Sequence, residues 1–440
     1  MSIELLTLLI GLTFLLLLMM GLPLAWAMGA TSVIFTLFLF APTTLIVFVG
    51  RMFSSIMMSY TLLAIPLFVL MAAILQHSGV TQQLFHTVHV WSGRLRGGLA
   101  IGTIVSCTLM AAMVGVVGAE IITFGLLAVP EMLKRGYDKR LALGSVCAGG
   151  GMATLIPPST TFIVYAMLTN TSIGELFIAG VLPGLVLAAL FTAYIFLAAL
   201  IKPEWAPPAP LAERNIPLSR KVWMLRELIL PALLAAGVLG SIYTGVATPT
   251  EAGALGCIGA TLSAAINRRL TWKLIVDSLF QTVLVSCFIA WLFFGAQALI
   301  GVYTLAGGDD FVRSAITSLP YGKWGAIIGM QLIWIFLGMF LDWIGILFLT
   351  IPLFLPIILD MGLSPLWFGV VYCMNMHIGY LSPPFGPSVF ILKSVTPAGI
   401  TTVDIYKSVM PYLWLTFLAL ALTIIFPGLS LWLPSKMLGG

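Results

Sequence analysis

The segments Leu155-Ile156-Pro157-Pro158-Ser159-Thr160 and Leu381-Ser382-Pro383-Pro384-Phe385-Gly386 interrupt two long apolar stretches, and their Pro-Pro pairs lie 226 positions apart. A proline removes a backbone donor and clashes with the preceding turn, so a pair of prolines breaks a membrane helix. Broken backbone at membrane depth persists only where it is buried in protein or lines a cavity. Corresponding breaks in two halves of a chain indicate the substrate site of a transporter.

The composition is that of a polytopic helical membrane protein. Of the 440 residues, 60% are hydrophobic and only 8% are charged, whereas about 25% are charged in an average soluble protein. Apolar runs of about 20 residues recur along the chain, and each is long enough to cross the hydrocarbon core. The net charge of +5 does not indicate nucleic-acid binding, because the basic residues lie at the ends of apolar runs.

The start of the chain and its cysteines exclude two other classes. No Lys or Arg precedes the first apolar run, Ile3 to Met20, so we expect an uncleaved helix and not a secretory signal. The cysteines all lie in apolar stretches without paired spacing, which indicates neither a disulfide framework nor a zinc site. They are Cys107, Cys147, Cys257, Cys287 and Cys373.

A constant offset of 226 positions indicates an internal duplication. We predict a first repeat at 1–201, a cytoplasmic linker at 202–226 and a second repeat at 227–440. The residues that align at this offset are prolines and glycines above all: Pro23 with Pro249, Pro130 with Pro356, Gly136 with Gly362, and Pro157-Pro158 with Pro383-Pro384.

Each repeat is predicted to contain spanning helices, one re-entrant hairpin and one broken helix. The hairpins are expected at about 97–133 and 323–361, and the broken helices at about 140–169 and 365–393. The fold class is therefore an all-α inverted repeat. The remaining helices are expected near 3–20, 22–40, 58–76, 173–200, 228–245, 249–267, 274–304 and 408–433.

The distribution of Lys and Arg supports this layout, because these residues favour the cytoplasmic side. With ten crossings and two hairpins, 16 of the 20 basic residues fall on one side. The two repeats then have opposite orientations, both termini lie outside the cytoplasm, and the hairpins enter from opposite sides. The basic residues on the other side are Arg51, Arg313, Lys323 and Lys436.

The breaks present half-helix ends whose N-termini attract anions and whose carbonyls coordinate cations. Hydroxyls, amides and carbonyls are hard donors that suit sodium and a carboxylate. We therefore predict substrate binding by Thr154, Ser159, Thr160, Asn375, His377 and Ser382. Cation binding is predicted for Thr154, Asp342, Asn375 and Ser382, with the backbone at Pro157 and Pro383.

Three ionisable residues each allow two interpretations. Asp342, at the predicted tip of the second hairpin, either shapes a cation site or caps the turn. Glu120, just after the first tip, either acts in function or caps a helix. His377 either forms a hydrogen bond between helices or takes part in proton coupling. The run Gly149-Gly150-Gly151 is no nucleotide loop, since no Gly-Lys-Ser/Thr follows it, and no ATP is expected.

Together, the motifs closely resemble the large membrane subunit of tripartite ATP-independent periplasmic (TRAP) transporters. The resemblance covers essentially the whole chain. The motifs that carry it are Pro130-Glu131-Met132, Arg135-Gly136-Tyr137-Asp138, the two Pro-Pro segments, Ser172-Ile173-Gly174-Glu175 with Pro183-Gly184, Thr250-Glu251-Ala252, Phe340-Leu341-Asp342, Phe368-Gly369-Val370 and Leu431-Trp432-Leu433-Pro434.

This resemblance implies an elevator-type secondary transporter in the bacterial inner membrane, driven by sodium and importing organic acids. It also implies two partners, a periplasmic substrate-binding protein and a small membrane subunit of about four helices. The family's sodium sites lie at hairpin tips and helix breaks. Many members have a Ser-rich first tip, whereas this chain has Gly115-Val116-Val117-Gly118, so coordination there would use backbone carbonyls at Gly115 and Gly118.

The expected function is sodium-coupled uptake of a carboxylate delivered by a binding protein. The alternative is a proton-coupled organic-anion transporter that uses Asp342, Glu120 or His377. An intramembrane enzyme would need a catalytic constellation on facing helices, and the sequence contains none, so we expect no enzyme. A gated channel would also use re-entrant loops, but its flux would exceed transporter rates.

Overall fold

The computed structural model describes residues 2–57, 60–93, 95–115, 118–207 and 217–437, which form helices and no strand. Short 3₁₀ turns lie at Tyr60–Leu63, Met152–Thr154 and Pro203–Trp205. The helices of the first half are Ile3–Met19, Leu24–Leu39, Thr44–Met57, Ala64–His77, Val80–Ser92, Gly98–Val114, Ala119–Lys134, Lys139–Gly150, Thr160–Thr169 and Ile173–Ile201.

The second half of the chain is also helical. They are Leu218–Met224, Arg226–Tyr243, Pro249–Ile266, Trp272–Leu305, Gly308–Thr317, Lys323–Gly338, Trp343–Asp360, Pro365–Leu381, Pro387–Val395, Thr402–Ile425 and Gly428–Met437.

Five helical segments of the described residues are long and apolar enough to cross a membrane by themselves. Further apolar helices of 10 to 17 residues accompany them. The chain is therefore an all-helical, multi-pass membrane protein, as its composition indicates. The five long segments are Tyr60–His77, Ile173–Ile201, Trp272–Leu305, Trp343–Asp360 and Thr402–Ile425.

Three helices were not expected from the sequence: Thr44–Met57, Val80–Ser92 and Gly308–Thr317. The last has Asp309 and Asp310 in its first turn, where carboxylates favour the positive end of the helix. It is short and amphipathic, so a search for long apolar runs overlooks it. The predicted linker, 202–226, also contains a helix that was not expected, Leu218–Met224. Residues 208–216 of the linker lie outside the described part of the chain.

The same turn ends a helix in both halves. Gly136 and Gly362 have left-handed backbone angles, with φ of +79° and +68°. The amide of Tyr137 donates to the carbonyl of Met132, and that of Leu363 donates to the carbonyl of Ile358, both at 3.0 Å. A glycine after the last helical residue allows this arrangement because it has no Cβ to clash. Equivalent positions thus have equivalent local structure.

Two helix pairs and two interrupted helices pack into one body. We name them the first hairpin (Gly98–Val114 and Ala119–Lys134) and the second hairpin (Lys323–Gly338 and Trp343–Asp360). The first broken helix comprises Lys139–Gly150 and Thr160–Thr169, and the second comprises Pro365–Leu381 and Pro387–Val395. Glycines allow close packing here.

These close contacts join the hairpins to the broken helices. Gly338 and Gly379 bring the second hairpin and the second broken helix into backbone contact, so that a Cβ on either would lie 3.1 Å from the other's Cα. A Cβ on Gly125 of the first hairpin would lie 2.9 Å from Leu392 of the second broken helix. In a membrane, small residues at helix contacts replace the hydrophobic driving force with close van der Waals packing.

The outer helices contact this body through aromatic pairs. The rings of Phe293 and Phe348 stack with their centroids 4.7 Å apart. Phe162 of the first broken helix meets Phe177 edge to face at 6.5 Å, and such pairs stabilise a contact by about 0.5–1.5 kcal/mol beyond the area that they bury. Any sliding of the hairpins and broken helices against the outer helices would have to exchange these contacts.

Candidate functional site

The first break is closed and completely buried. The Thr154 hydroxyl donates to the carbonyl of Gly151 at 2.9 Å, and the Ser159 hydroxyl donates to the carbonyl of Thr154 at 2.8 Å. The amide and the hydroxyl of Thr160 both donate to the carbonyl of Gly115, at 3.3 and 3.1 Å. The tip of the first hairpin is therefore held against the break, where Pro157 is buried beside these residues.

The second break is open by comparison. The Ser382 hydroxyl donates to the carbonyl of Ile378 at 2.8 Å, which continues the bonding of the preceding helix. Pro383 and Pro384 are exposed, and Phe385 exposes 53% of its surface. The two breaks align at the 226 offset, yet only the second presents its loop at the surface of the molecule.

The four hydroxyls at the breaks share one property. Thr154, Ser159, Thr160 and Ser382 each donate their only hydroxyl proton to a backbone carbonyl. A hydroxyl has one proton and two lone pairs, so each oxygen retains acceptor capacity and no donor. In this geometry the four hydroxyls suit a cation, and an anion would need donors from elsewhere.

At the tip of the second hairpin, Asp342 caps the helix that begins at Trp343. Its carboxylate accepts from the amide of Ile344 at 3.3 Å and from the hydroxyl of Tyr380 at 3.2 Å. Capping, one of the two interpretations, is thus present. It does not exclude the other, because a carboxylate has about four acceptor positions.

Next to this tip lies a small cavity of about 10 Å³, room for about one water molecule. Its lining combines backbone-exposing glycines with residues of the hairpin tip and of the second break. They are Gly338, Leu341, Trp343, Ile346, Met376, Gly379, Tyr380 and Pro387.

Asn375 contacts the second hairpin and not the break. Its amide nitrogen donates to the carbonyl and to the side-chain oxygen of Gln331, at 3.1 and 2.8 Å. The Asn375 side-chain oxygen and the Gln331 side-chain nitrogen have no hydrogen-bond partner in the described structure. Gln331 was missed, although it is the one polar side chain in the apolar run 326–337, which is a usable signal.

His377 joins the two broken helices by packing. Its imidazole fills the space beside Gly151, where a Cβ would lie 2.6 Å from its Cε1, and it lies tilted against the ring of Phe191, with the centroids 6.0 Å apart. The imidazole interacts with the backbone of Gly151 on the first broken helix, and its ring nitrogens have no side-chain partner among the described residues. Both interpretations of His377 stay predictions.

Glu120 is buried in the first turn after the first hairpin tip, with 1% of its surface exposed. Neither carboxyl oxygen has a hydrogen-bond partner within the described residues, so it does not cap its helix. Gly118, the residue before this helix, has φ of +103° and lies against Ile391 of the second broken helix. Burying an ionised carboxylate without a partner is costly.

The predicted residues thus fall into two neighbouring groups. The first joins Gly115, Thr154, Ser159 and Thr160; the second joins Asp342 with Tyr380 and Asn375 with Gln331. His377 packs between the two broken helices. The described residues contain no group of three or more His, Cys, Asp or Glu placed to hold a metal ion.

Comparison with known proteins identifies the family. Residues 12–429 match the family model described as "Tripartite ATP-independent periplasmic transporter, DctM component". The chain is 32% identical over 408 residues to the C4-dicarboxylate TRAP transporter large permease protein DctM of Pseudomonas aeruginosa, with 91% of this chain and 92% of that protein covered. It is 28% identical to the isethionate TRAP transporter permease protein DctMQ of Oleidesulfovibrio alaskensis, covering 95% of this chain and 65% of that protein.

The fold also resembles a solved transporter. The crystal structure of the Alcanivorax borkumensis YdaH transporter superposes with a TM-score of 0.57 at 16% identity, covering 96% of this chain and 98% of that one. The family and its curated relatives are transport permeases, which confirms that the chain is not an enzyme. The family resemblance drawn from the sequence motifs is confirmed as well: the chain belongs to the DctM family, the large membrane permeases of TRAP transporters.

Proposed function

We propose that this permease imports a small organic acid across the bacterial inner membrane by sodium symport. A periplasmic binding protein delivers the substrate, and a small membrane subunit completes the complex. Both termini face the periplasm. The relatives named for C4-dicarboxylate and isethionate transport both carry small organic anions, which supports an anionic substrate here.

The observation that carries the proposal is the second hairpin tip. A cavity the size of one water molecule is lined by Gly338, Gly379 and Tyr380, and the hydroxyl of Tyr380 donates to the Asp342 carboxylate. Sodium is a hard cation that prefers oxygen ligands, and backbone carbonyls at broken helices can supply them. At this tip we propose Asp342, Asn375, Ser382 and the backbone at Pro383 as candidate ligands.

A second cation position is proposed at the first tip and break. Its candidate ligands are Thr154 and the backbone at Gly115, Gly118 and Pro157. The hydroxyl of Thr154 retains only acceptor capacity, which agrees with a cation. The carbonyl of Gly115 already accepts two hydrogen bonds from Thr160, so a cation there would have to compete with Thr160.

We further propose that the halves are inverted repeats and that the hairpins move with the broken helices as one body. Matching turns at Gly136 and Gly362 support the duplication. Glycine contacts hold the hairpins to the broken helices, and the aromatic pairs with the outer helices are individually weak. A cross-link between Phe293→Cys and Phe348→Cys would stop an elevator movement, and undiminished transport after cross-linking would contradict it.

Charge removal at Asp342 is the test of sodium binding. We expect Asp342→Asn to raise the sodium concentration for half-maximal uptake at least about tenfold, an effect of about 1.4 kcal/mol. Asparagine caps a helix about as well as aspartate, so the melting temperature should stay close to that of the wild type. The measurement is uptake into proteoliposomes that contain the complete transporter, with the binding protein outside and an imposed sodium gradient.

The matched control is Asp342→Ser. Serine can still cap the helix, but its side chain has neither the C=O group of asparagine nor the charge of aspartate. Both variants should lose sodium affinity if the carboxylate acts on the ion. Wild-type sodium dependence in Asp342→Asn would make Asp342 a cap alone. Uptake by the wild type that persists after the sodium gradient collapses, with the proton gradient intact, would overturn the sodium proposal itself.

Proton coupling is the second candidate, and Glu120 is the observation that favours it. Its carboxyl group is buried and without a hydrogen-bond partner in the described structure, a state that a neutral acid tolerates far better than a carboxylate. Asp342 and His377 remain the other candidates for such a role. A proton-coupled transporter would be driven by a pH gradient without sodium.

Glu120→Gln separates the two mechanisms. Glutamine has the shape of a neutral glutamic acid, so we expect the rate of sodium-driven uptake to stay within about twofold of the wild type. This change is much smaller than the tenfold change, equivalent to about 1.4 kcal/mol, that we expect for Asp342→Asn. Stability should be unchanged because no ion pair is lost. The assay is uptake under a sodium gradient alone and under a pH gradient alone. The proton mechanism would be established by two results together: the wild type takes up substrate under a pH gradient without sodium, and Glu120→Gln loses this pH-driven uptake.

A further inference from the structure

The second break contains a buried hydroxyl without a partner, on Ser388. This residue is fully buried, and its hydroxyl has no hydrogen-bond partner in the described structure. Leaving such a group unsatisfied costs about 1–3 kcal/mol. Each unsatisfied group in a native structure needs an explanation, such as an absent ligand. Ser388 also differs from Ser382 on the same break, whose hydroxyl is bound to Ile378.

The position of Ser388 favours an anion over a cation. It is the second residue of the nine-residue helix Pro387–Val395, which begins after Gly386 without a side-chain cap. The first N–H groups of a helix have no partner within the helix and carry its positive partial charge. A hydroxyl at this end can add a donor to those amides, and together they suit a carboxylate or a sulfonate.

No charged side chain of the helix Pro387–Val395 is free to bind an anion at its start. Lys393, the basic residue of that helix, donates to the carbonyl of Ile400 at 2.5 Å. The thiol of Cys147, from the first broken helix, contacts the carbonyl of Ser388 and leaves the hydroxyl free. Pro387 has no N–H, and the amide of Val389 donates to the carbonyl of Gly386 at 2.8 Å. The donors that remain in the first two residues of this helix are therefore the amide and the hydroxyl of Ser388.

The equivalent end in the first half is already filled. There the amide and the hydroxyl of Thr160 both donate to Gly115. At the 226 offset, Ser388 corresponds to Phe162, a fully buried ring that packs near Phe177 at 6.5 Å. The first half consequently has no free hydroxyl at the matching position.

Ser388 is buried, and the loop of the second break connects it to the surface. The loop before it is exposed at Pro383, Pro384 and Phe385. Gly386, which joins this loop to the helix, has φ of +28°, a backbone angle that glycine adopts most readily. The one-water cavity reaches Pro387, the residue before Ser388. A small movement of the exposed loop would bring an anion to the hydroxyl.

We infer that Ser388 and the start of the helix Pro387–Val395 bind the anionic group of the substrate, a carboxylate or a sulfonate. The inference rests on the proposed function, because it assigns the anion of the transported acid to one of the two breaks. It places recognition of the substrate's anionic group at the second break. Cation binding is left to the hydroxyls that already donate their protons to backbone carbonyls.

Ser388→Ala is the test. The matched control is Ser394→Ala, an exposed serine of the same helix whose hydroxyl donates to the carbonyl of Ile391. The purified complex is titrated with succinate and with isethionate, and its melting temperature is followed at fixed sodium; uptake of both acids gives KM and kcat. We expect Ser388→Ala to raise Kd and KM about tenfold while the sodium dependence of uptake stays that of the wild type. Ser394→Ala should bind both acids like the wild type, and Ser388→Thr should retain most of the affinity.

Each outcome bears on the inference separately from the sodium proposal. Wild-type Kd and KM in Ser388→Ala, or an equal loss in Ser394→Ala, would overturn the anion site and leave sodium coupling intact. A wild type whose stability and uptake respond to neither acid would also overturn it. If Ser388→Ala loses affinity for both acids but uptake by the wild type needs no sodium, the anion site is supported and the sodium proposal is overturned.

Discussion

Gly115→Ala is expected to abolish uptake and to destabilise the protein strongly. A Cβ at this position would overlap the carbonyl oxygen of Pro158, and backbone atoms cannot move aside as a flexible side chain can. The backbone angle φ of +60° adds strain for any residue with a Cβ. Because the Gly115 carbonyl holds Thr160, displacing the tip also breaks two hydrogen bonds. We expect a loss of about 4 kcal/mol or more, a size that few mechanisms produce, among them strain at a special backbone angle.

The control for this variant is Gly362→Ala. Gly362 has a similar φ of +68° but open space around its Cβ position, so alanine there should cost only about 1 kcal/mol. Thermal unfolding in detergent and uptake into proteoliposomes measure the two effects. Equal behaviour of the two variants would show that the backbone angle alone matters and that the tip does not press against the first break.

Gly151→Ala is expected to impair transport through His377. The new methyl group would lie 2.6 Å from Cε1 and 2.7 Å from Nδ1 of an imidazole that is fully buried and held against Phe191. The backbone of Gly151 is in the right-handed helical region, with φ of −79°, so alanine causes no backbone strain. Overpacking of this kind costs about 1–3 kcal/mol, and here it would separate the two broken helices.

A double variant tests this contact directly. Adding His377→Ala removes the ring that alanine would strike, so the pair should be more stable than the sum of the single changes by about 0.5–3 kcal/mol. Gly237→Ala, a helical position with nothing within 4 Å of its Cβ, serves as the control and should be neutral or slightly stabilising. Additive effects of Gly151→Ala and His377→Ala would refute the contact.

Much of the fold follows from local rules that a sequence displays. Pro-Pro pairs prevent helical hydrogen bonding at 157–158 and 383–384, and neither pair lies in a helix. The second helix ends at Leu381, next to its pair, whereas the first ends earlier, at Gly150, and a 3₁₀ turn at Met152–Thr154 follows. Glycines 136 and 362 adopt the left-handed turn that ends a helix. Asp342 caps the helix after its turn. Short polar helices such as Gly308–Thr317 were missed because they lack the long apolar run by which membrane segments are recognised.

The site was only partly predictable because its contacts join distant segments. Residue type correctly marked Thr154, Ser159, Thr160 and Ser382 as polar groups at the breaks. It could not reveal that their protons are used by carbonyls, since that depends on loop conformation. Nor could it reveal that Asn375 pairs with Gln331, 44 positions away.

The sequence by itself determined the membrane class, the helix breaks and the family, because these depend on composition, proline chemistry and motif spacing. Only the tertiary structure decided which break is closed and which polar groups remain free. The first break is sealed by the hairpin tip through Gly115 and Thr160, while the second exposes its loop and leaves the Ser388 hydroxyl without a partner in the described structure. Satisfaction of a buried polar group depends on every neighbour that packing brings to it, and a linear pattern contains no such information.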